Sequence, residues 1–101
     1  KFEQLIRRTL QRCNIEMPLT GVEAYKVSIQ AIFKRPRSVS KGLIFKTKRP
    51  DIDNVCKSIL DASNGLLWLD DSQVVILHAE KRLDETESVI LKVEEIRNKI
   101  G

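Results

Sequence analysis

The chain has 101 residues, 42% hydrophobic and 32% charged, which is the balance of one ordinary globular domain over 1–101 with a single core. No apolar run approaches the roughly 20 residues needed to span a bilayer, and the opening residues lack the order of a signal peptide, so a cytoplasmic protein without a membrane partner is expected. The net charge of +4 conceals a division: residues 1–50 carry 12 Lys and Arg against 3 acids, and residues 51–101 carry 6 against 11.

The basic half suits a polyanion such as nucleic acid, although a solvated cationic face has the same composition. Cys13 and Cys56 lack any Cys-x-x-Cys spacing and His78 is the lone histidine, so packed thiols in a reducing compartment are expected and a structural zinc site is not. The first residue is Lys1 rather than Met, which fits an upstream segment removed or left out.

In chain order, Phe2, Leu5, Ile6, Leu10 and Cys13 recur on one helical face, predicting a helix over 1–13. Residues 14–20, with Pro18, read as a loop. From Gly21 the period changes to two: Tyr25, Val27, Ile29, Ala31 and Phe33 line one face of a long strand. Residues 34–42 form a basic loop around Pro36 and Gly42, and 43–48 fit a short strand.

Pro50 precedes an N-cap at Asp51, after which Ile52, Val55, Cys56, Ile59 and Leu60 form a buried helical stripe that Asn64-Gly65 terminates. Trp68 is expected to pack on the core. Residues 73–81 and 87–96 read as two strands of an antiparallel hairpin turning at 83–86. The expected class is α+β, a small mixed or antiparallel sheet with two main helices packed on one side.

The stretch from Lys48 to Val75 holds the acids Asp51, Asp53, Asp61, Asp70 and Asp71, behind a segment that has none from Ala24 to Pro50. On the helix, Asp53, Lys57 and Asp61 fall four residues apart, away from the apolar stripe. A plain reading is available: Asp51 caps, Asp53 favours the helix dipole, and Lys57 makes spaced ion pairs worth a few tenths of a kcal/mol.

Asp70-Asp71 argues for more, because adjacent acids repel unless solvated or neutralised. If the following strand lies beside the helix, Asp71 converges with Asp51 and Asp53. Two or three carboxylates with open positions suit Mg²⁺, which keeps several waters and takes substrate phosphate oxygens. Such a site activates water and stabilises charge during phosphodiester cleavage, with Lys57 positioned to steady the phosphate.

The run Arg49-Pro50-Asp51-Ile52-Asp53-Asn54, then Lys57, Asp61-Ala62, Asn64-Gly65 and Asp70-Asp71-Ser72-Gln73-Val74 resembles the signature of the RusA family of Holliday junction resolvases. The match is close over roughly residues 46–80. An isolated Asp-x-Asp is common, but this spaced combination is not. The resemblance implies a homodimeric, Mg²⁺-dependent endonuclease acting on branched DNA, cutting a four-way junction symmetrically in recombination and repair.

It assigns Asp51, Asp53 and Asp71 as metal-binding carboxylates and Lys57 as the catalytic lysine. Asp70 reads as a turn residue or a supporting acid, Asn54 as structural at the helix start, and Asp61 as a bystander. Family members have a further strand and basic segment before the first helix, and this chain departs from them there. The expected DNA contacts are Lys34, Arg35, Arg37, Lys41, Lys46, Lys48 and Arg49, through phosphate rather than base edges. His78 reads as packed or at an interface. The rival readings are a non-catalytic nucleic-acid-binding module, a nuclease of other branched DNA, and a structural partner in phage assembly.

Overall fold

The strand with the strictest alternation, β1 (Ala24–Lys34), occupies the centre of a three-stranded sheet of order β2-β1-β3. A computed structural model of the protein describes residues 24–96 and, before them, Gln4, Ile6 and Arg8, which are helical. Phe2, Leu5, Leu10 and Cys13 of the expected first helix, and the loop at 14–20, lie outside the described residues. Ile6 is buried in the core as its place in the stripe requires. Within the described residues the class is α+β with one main helix, α1 (Ile52–Ser63), over a mixed sheet.

Strands β2 (Val74–Asp84) and β3 (Ser88–Ile96) match the expected segments but do not form a hairpin. Instead β1 lies between them, parallel to β2 and antiparallel to β3. Lys34 pairs with Asp84 and Ile32 with Ser88, so residues 85–87 pass over the end of β1. Two strand spacings of about 4.8 Å are within reach of such a link. The centre goes to β1 because its alternate residues Tyr25, Val27, Ile29 and Ala31 are buried, and flanking strands seal its backbone on both sides.

The covered face of the sheet adds Leu77, Ala79, Lys81 and Leu83 from β2 and Val89, Leu91 and Val93 from β3, by register with β1. A bulge at Tyr25/Lys26 leaves Val75 out of that register. The opposite face mixes polar groups with Ile32, Ile76 and Ile90; on it Gln30 donates to Glu80 and Lys26 faces Glu94.

Helix α1 closes the core through Val55 and Ile59, with Cys56 and Leu60 half-buried, whereas Ile52 in the first turn is 43% exposed. Trp68 is fully buried against Tyr25, ring centroids 6.2 Å apart. Its indole N–H donates to the Asn64 side-chain oxygen at 2.8 Å, and Gly65 takes the left-handed φ of 78° that the turn requires. Asn64-Gly65 is thus both helix stop and tryptophan clasp. Asn64→Ala is expected to leave the indole N–H without its partner and lower stability by about 1–3 kcal/mol in urea unfolding.

The segment expected as a short strand at 43–48 makes a single bridge, Phe45 to Arg82, flanked by Lys46 N–H donating to the Lys81 carbonyl and Leu83 N–H to the Ile44 carbonyl. It straps the outer edge of β2 at 81–83. From Leu77 onward the odd-numbered residues of β2 therefore turn their backbone groups outward, and among the described residues nothing pairs with that edge at Leu77 and Ala79.

Candidate active site

Asp51 occupies the N-cap of α1 in extended conformation, its carbonyl accepting from Val55 N–H, but its side chain makes no capping hydrogen bond. Asp53 lies in the first turn and Lys57 one turn on, both exposed. None of Asp51, Asp53, Lys57 and Asp61 forms an ion pair or side-chain hydrogen bond among the described residues. The plain reading of cap plus spaced ion pairs is therefore absent from the helix surface. The Cys56 thiol, half-buried beside this turn, is pushed up by burial and then by the Asp53 charge.

The second acidic pair divides by role. Asp70 caps the 3-10 turn Asp71–Gln73: its carboxylate accepts from Ser72 N–H, and the Gln73 side chain accepts in return from Leu69 and Asp70 N–H. The Ser72 hydroxyl, then the Ser72 N–H and, less strongly, the Asp71 N–H hold the Asp70 carboxyl below the usual aspartate range. Gln73, present in the quoted motif but given no role there, completes this box and so fixes the start of β2; the Asp-x-x-Gln spacing is the signal for that role. Asp71 is left with a half-exposed side chain and no internal partner among the described residues.

Helix α1 does lie beside β2 and contacts the Asp71–Gln73 turn. The Lys81 ammonium touches the Pro50 carbonyl, which puts Asp51 at the far end of β2 from that turn. Val74 to Lys81 is about 23 Å of strand at 3.3 Å per residue. Among the described residues no three His, Cys, Asp or Glu side chains gather closely enough to hold a metal ion. The structure thus places Asp51, Asp53 and Lys57 on the first two turns of α1 and Asp71 in the turn that opens β2, with the strand running from the helix's end back toward its beginning.

The chemistry of the donors nevertheless fits Mg²⁺. Carboxylate oxygens are the hard ligands it takes, and one or two suffice because waters and phosphate oxygens fill the remaining positions. Asp51 also borders an open depression of about 570 Å³ with Arg49, Pro50 and Asn54. The peptide between Arg49 and Pro50 is cis.

The cations expected to meet DNA separate into two groups. Arg35 is an internal staple: its guanidinium donates to the carbonyls of Leu43 at 2.9 Å and Leu83 at 3.3 Å, and its side chain is 15% exposed. Lys46 lies over the Phe33 ring at 5.3 Å. Lys34, Arg37, Lys41, Lys48 and Arg49 are exposed and have no side-chain partner among the described residues. His78 is exposed on the face of the sheet opposite the covered one, on the same face as Glu80.

With fold and site in view, the model of the endodeoxyribonuclease RusA family matches residues 1–94, and the chain belongs to that family. It is similar to the uncharacterized protein YqaN of Bacillus subtilis (strain 168), 32% identical over 103 residues that cover 94% of this chain and 72% of the relative. It is also similar to the crossover junction endodeoxyribonuclease rusA of Lactococcus phage r1t, 40% identical over 53 residues that cover 52% of this chain and 40% of the phage protein. No solved structure matches the chain at a significant level. Among the described residues no helix is long and apolar enough to cross a membrane.

Proposed function

We propose that the protein is a structure-selective endodeoxyribonuclease that resolves four-way DNA junctions by Mg²⁺-dependent, symmetric phosphodiester hydrolysis, serving DNA recombination and repair in the cytoplasm. The observation that carries the proposal is a pair of exposed carboxylates on one helix start, Asp51 and Asp53, without side-chain partners among the described residues, of which Asp51 lines a depression with Arg49 and Asn54; Lys57 follows one turn on. Family membership and the phage relative's name support the same reaction class.

Asp51 and Asp53 would hold the metal with Asp71 as a third carboxylate. When bound, the ion supplies Lewis-acid stabilisation of the charge that builds on the scissile phosphoryl group. Lys57 supplies a positive charge to the same phosphate, and Lys48, Arg49, Arg37, Lys41 and Lys34 hold flanking phosphates.

The distance between Asp71 and Asp51 within one chain bears on the assembly. A four-way junction offers two symmetry-related strands, which calls for a C2 homodimer. The edge of β2 at Leu77 and Ala79, unpaired among the described residues, suits pairing with a second copy; Val75 and Leu77 are 59% and 39% exposed, and Ile76 41%. Two-fold pairing of edge strands is antiparallel. It would bring the Asp71 turn of one chain to the Lys81 end of the other, next to the partner's segment 44–51. Asp71 of the partner subunit would then complete each site.

The test compares a four-way junction with a flap, a linear duplex and single-stranded DNA at one salt concentration, with and without Mg²⁺. Paired nicks in the junction, dependent on Mg²⁺ and at least tenfold faster than in the other substrates, are expected. Equal cutting of all four would replace junction resolution with a general nuclease, and binding without any cutting would leave a non-catalytic module.

A further inference from the structure

Lys81 lies on the covered face of β2, between Ala79 and Leu83 in the alternation and opposite Ala31 of β1. That position is apolar in its neighbours, yet it carries a half-buried ammonium. The Lys81 Nζ donates to the carbonyl of Lys48 at 3.0 Å and to that of Pro50 at 2.7 Å. The Lys81 main-chain carbonyl in turn accepts from Lys46 N–H at 3.0 Å. One residue therefore holds the segment 46–50 at three points, and the last is the carbonyl bonded to the nitrogen of Asp51.

We propose that Lys81 is a positioning residue for the Asp51 and Asp53 carboxylates. The inference rests on the assignment of those carboxylates as metal ligands. Asp51 has no side-chain hydrogen bond to fix its direction, so its orientation follows from its main chain. On the C-terminal side that main chain is fixed by the bond from Val55 N–H. On the N-terminal side it is fixed by the Lys81 ammonium, whose charge-assisted bonds are roughly twice as strong as neutral ones. Residues that orient metal ligands in this way typically change metal affinity or activity by about 10- to 100-fold when removed.

The test uses Lys81→Met, which keeps the apolar stem and removes the donors, and Lys81→Arg, which restores a cationic donor. Mn²⁺ binding to the DNA-free protein, followed by electron paramagnetic resonance, is read beside single-turnover nicking and junction affinity. Lys81→Met is expected to weaken Mn²⁺ binding and slow nicking by about 10- to 100-fold each with junction affinity unchanged, and Lys81→Arg to recover much of both. Val93→Ala, a core truncation on β3, controls for stability and is expected to lower the melting temperature without moving Mn²⁺ affinity.

Wild-type Mn²⁺ binding and rate in Lys81→Met would overturn the inference. So would a loss of Mn²⁺ affinity that tracks lost stability equally in Val93→Ala. If Lys81→Met does not fold, Lys81→Gln, whose shorter uncharged amide loses the charge-assisted bonds to both carbonyls, is expected to weaken Mn²⁺ binding and nicking in the same direction. Unchanged Mn²⁺ binding and nicking in Asp53→Asn would instead remove the metal site itself, so the two failures are distinguishable.

Discussion

Asp53→Asn is expected to cut Mg²⁺-dependent nicking of a four-way junction by about 100-fold or more while junction binding stays equal or tightens. The size follows from the several kcal/mol that a metal ion contributes to stabilising transition-state charge, at about tenfold in rate per 1.4 kcal/mol. Asp53 is exposed and without a side-chain partner among the described residues, so the near-isosteric amide leaves packing intact. Only the favourable interaction with the helix dipole is lost, about 0.3–1 kcal/mol. Binding tightens because one negative charge leaves a surface that approaches phosphates. Cys56 offers an independent check that the charge is gone and the helix remains: its thiol, raised in part by Asp53, should titrate lower in the variant. Gel-based cleavage and binding on one junction decide the matter, and unchanged cleavage would take Asp53 out of the site.

How much of this was legible before the structure depends on the element. The alternation from Tyr25 to Phe33 defined β1, and the stripe of Val55, Cys56, Ile59 and Leu60 defined α1, because both periods are imposed by burial on one side. Strand order was not legible. Residues 74–84 and 88–96 with a three-residue link have the pattern of a hairpin, and only the register of each with β1 shows that β1 separates them.

The acidic motif was legible as a set of residue types at fixed spacing. Its spatial separation was not, because helical periodicity carries no information on the direction of the following strand. Lys81 was hidden for a related reason. Within Ala79-Glu80-Lys81-Arg82-Leu83 it looks like surface, and its role depends on two backbone carbonyls more than 30 residues away in sequence. Arg35 was misleading in the opposite sense: in a basic loop it looks like a phosphate contact, yet its guanidinium is held by the Leu43 and Leu83 carbonyls.

Mixing two inactive variants is expected to restore cleavage. Asp51→Asn and Asp71→Asn each lose nicking as homodimers, because every site then lacks one carboxylate. In a mixed dimer the two substitutions fall together in one shared site and leave the other whole. Random exchange makes about half of the dimers mixed, each with one intact site of two, so the mixture should regain about a quarter of wild-type nicking. Its product is also distinctive: a single intact site nicks one strand, and the junction stays connected instead of separating into two duplexes.

The physical basis is the length of β2. A carboxylate at the Val74 end cannot share an ion with one at the Lys81 end of the same chain, whereas antiparallel pairing of two β2 edges places opposite ends side by side. Co-refolding the two variants, counting nicks on a denaturing gel and resolving connected junctions from separated duplexes on a native gel measures the outcome. A mixture as inactive as its parents would show that each site is built within one chain. That result would require the helix–strand arrangement to close on DNA binding, so that Asp71 reaches Asp51 without a partner.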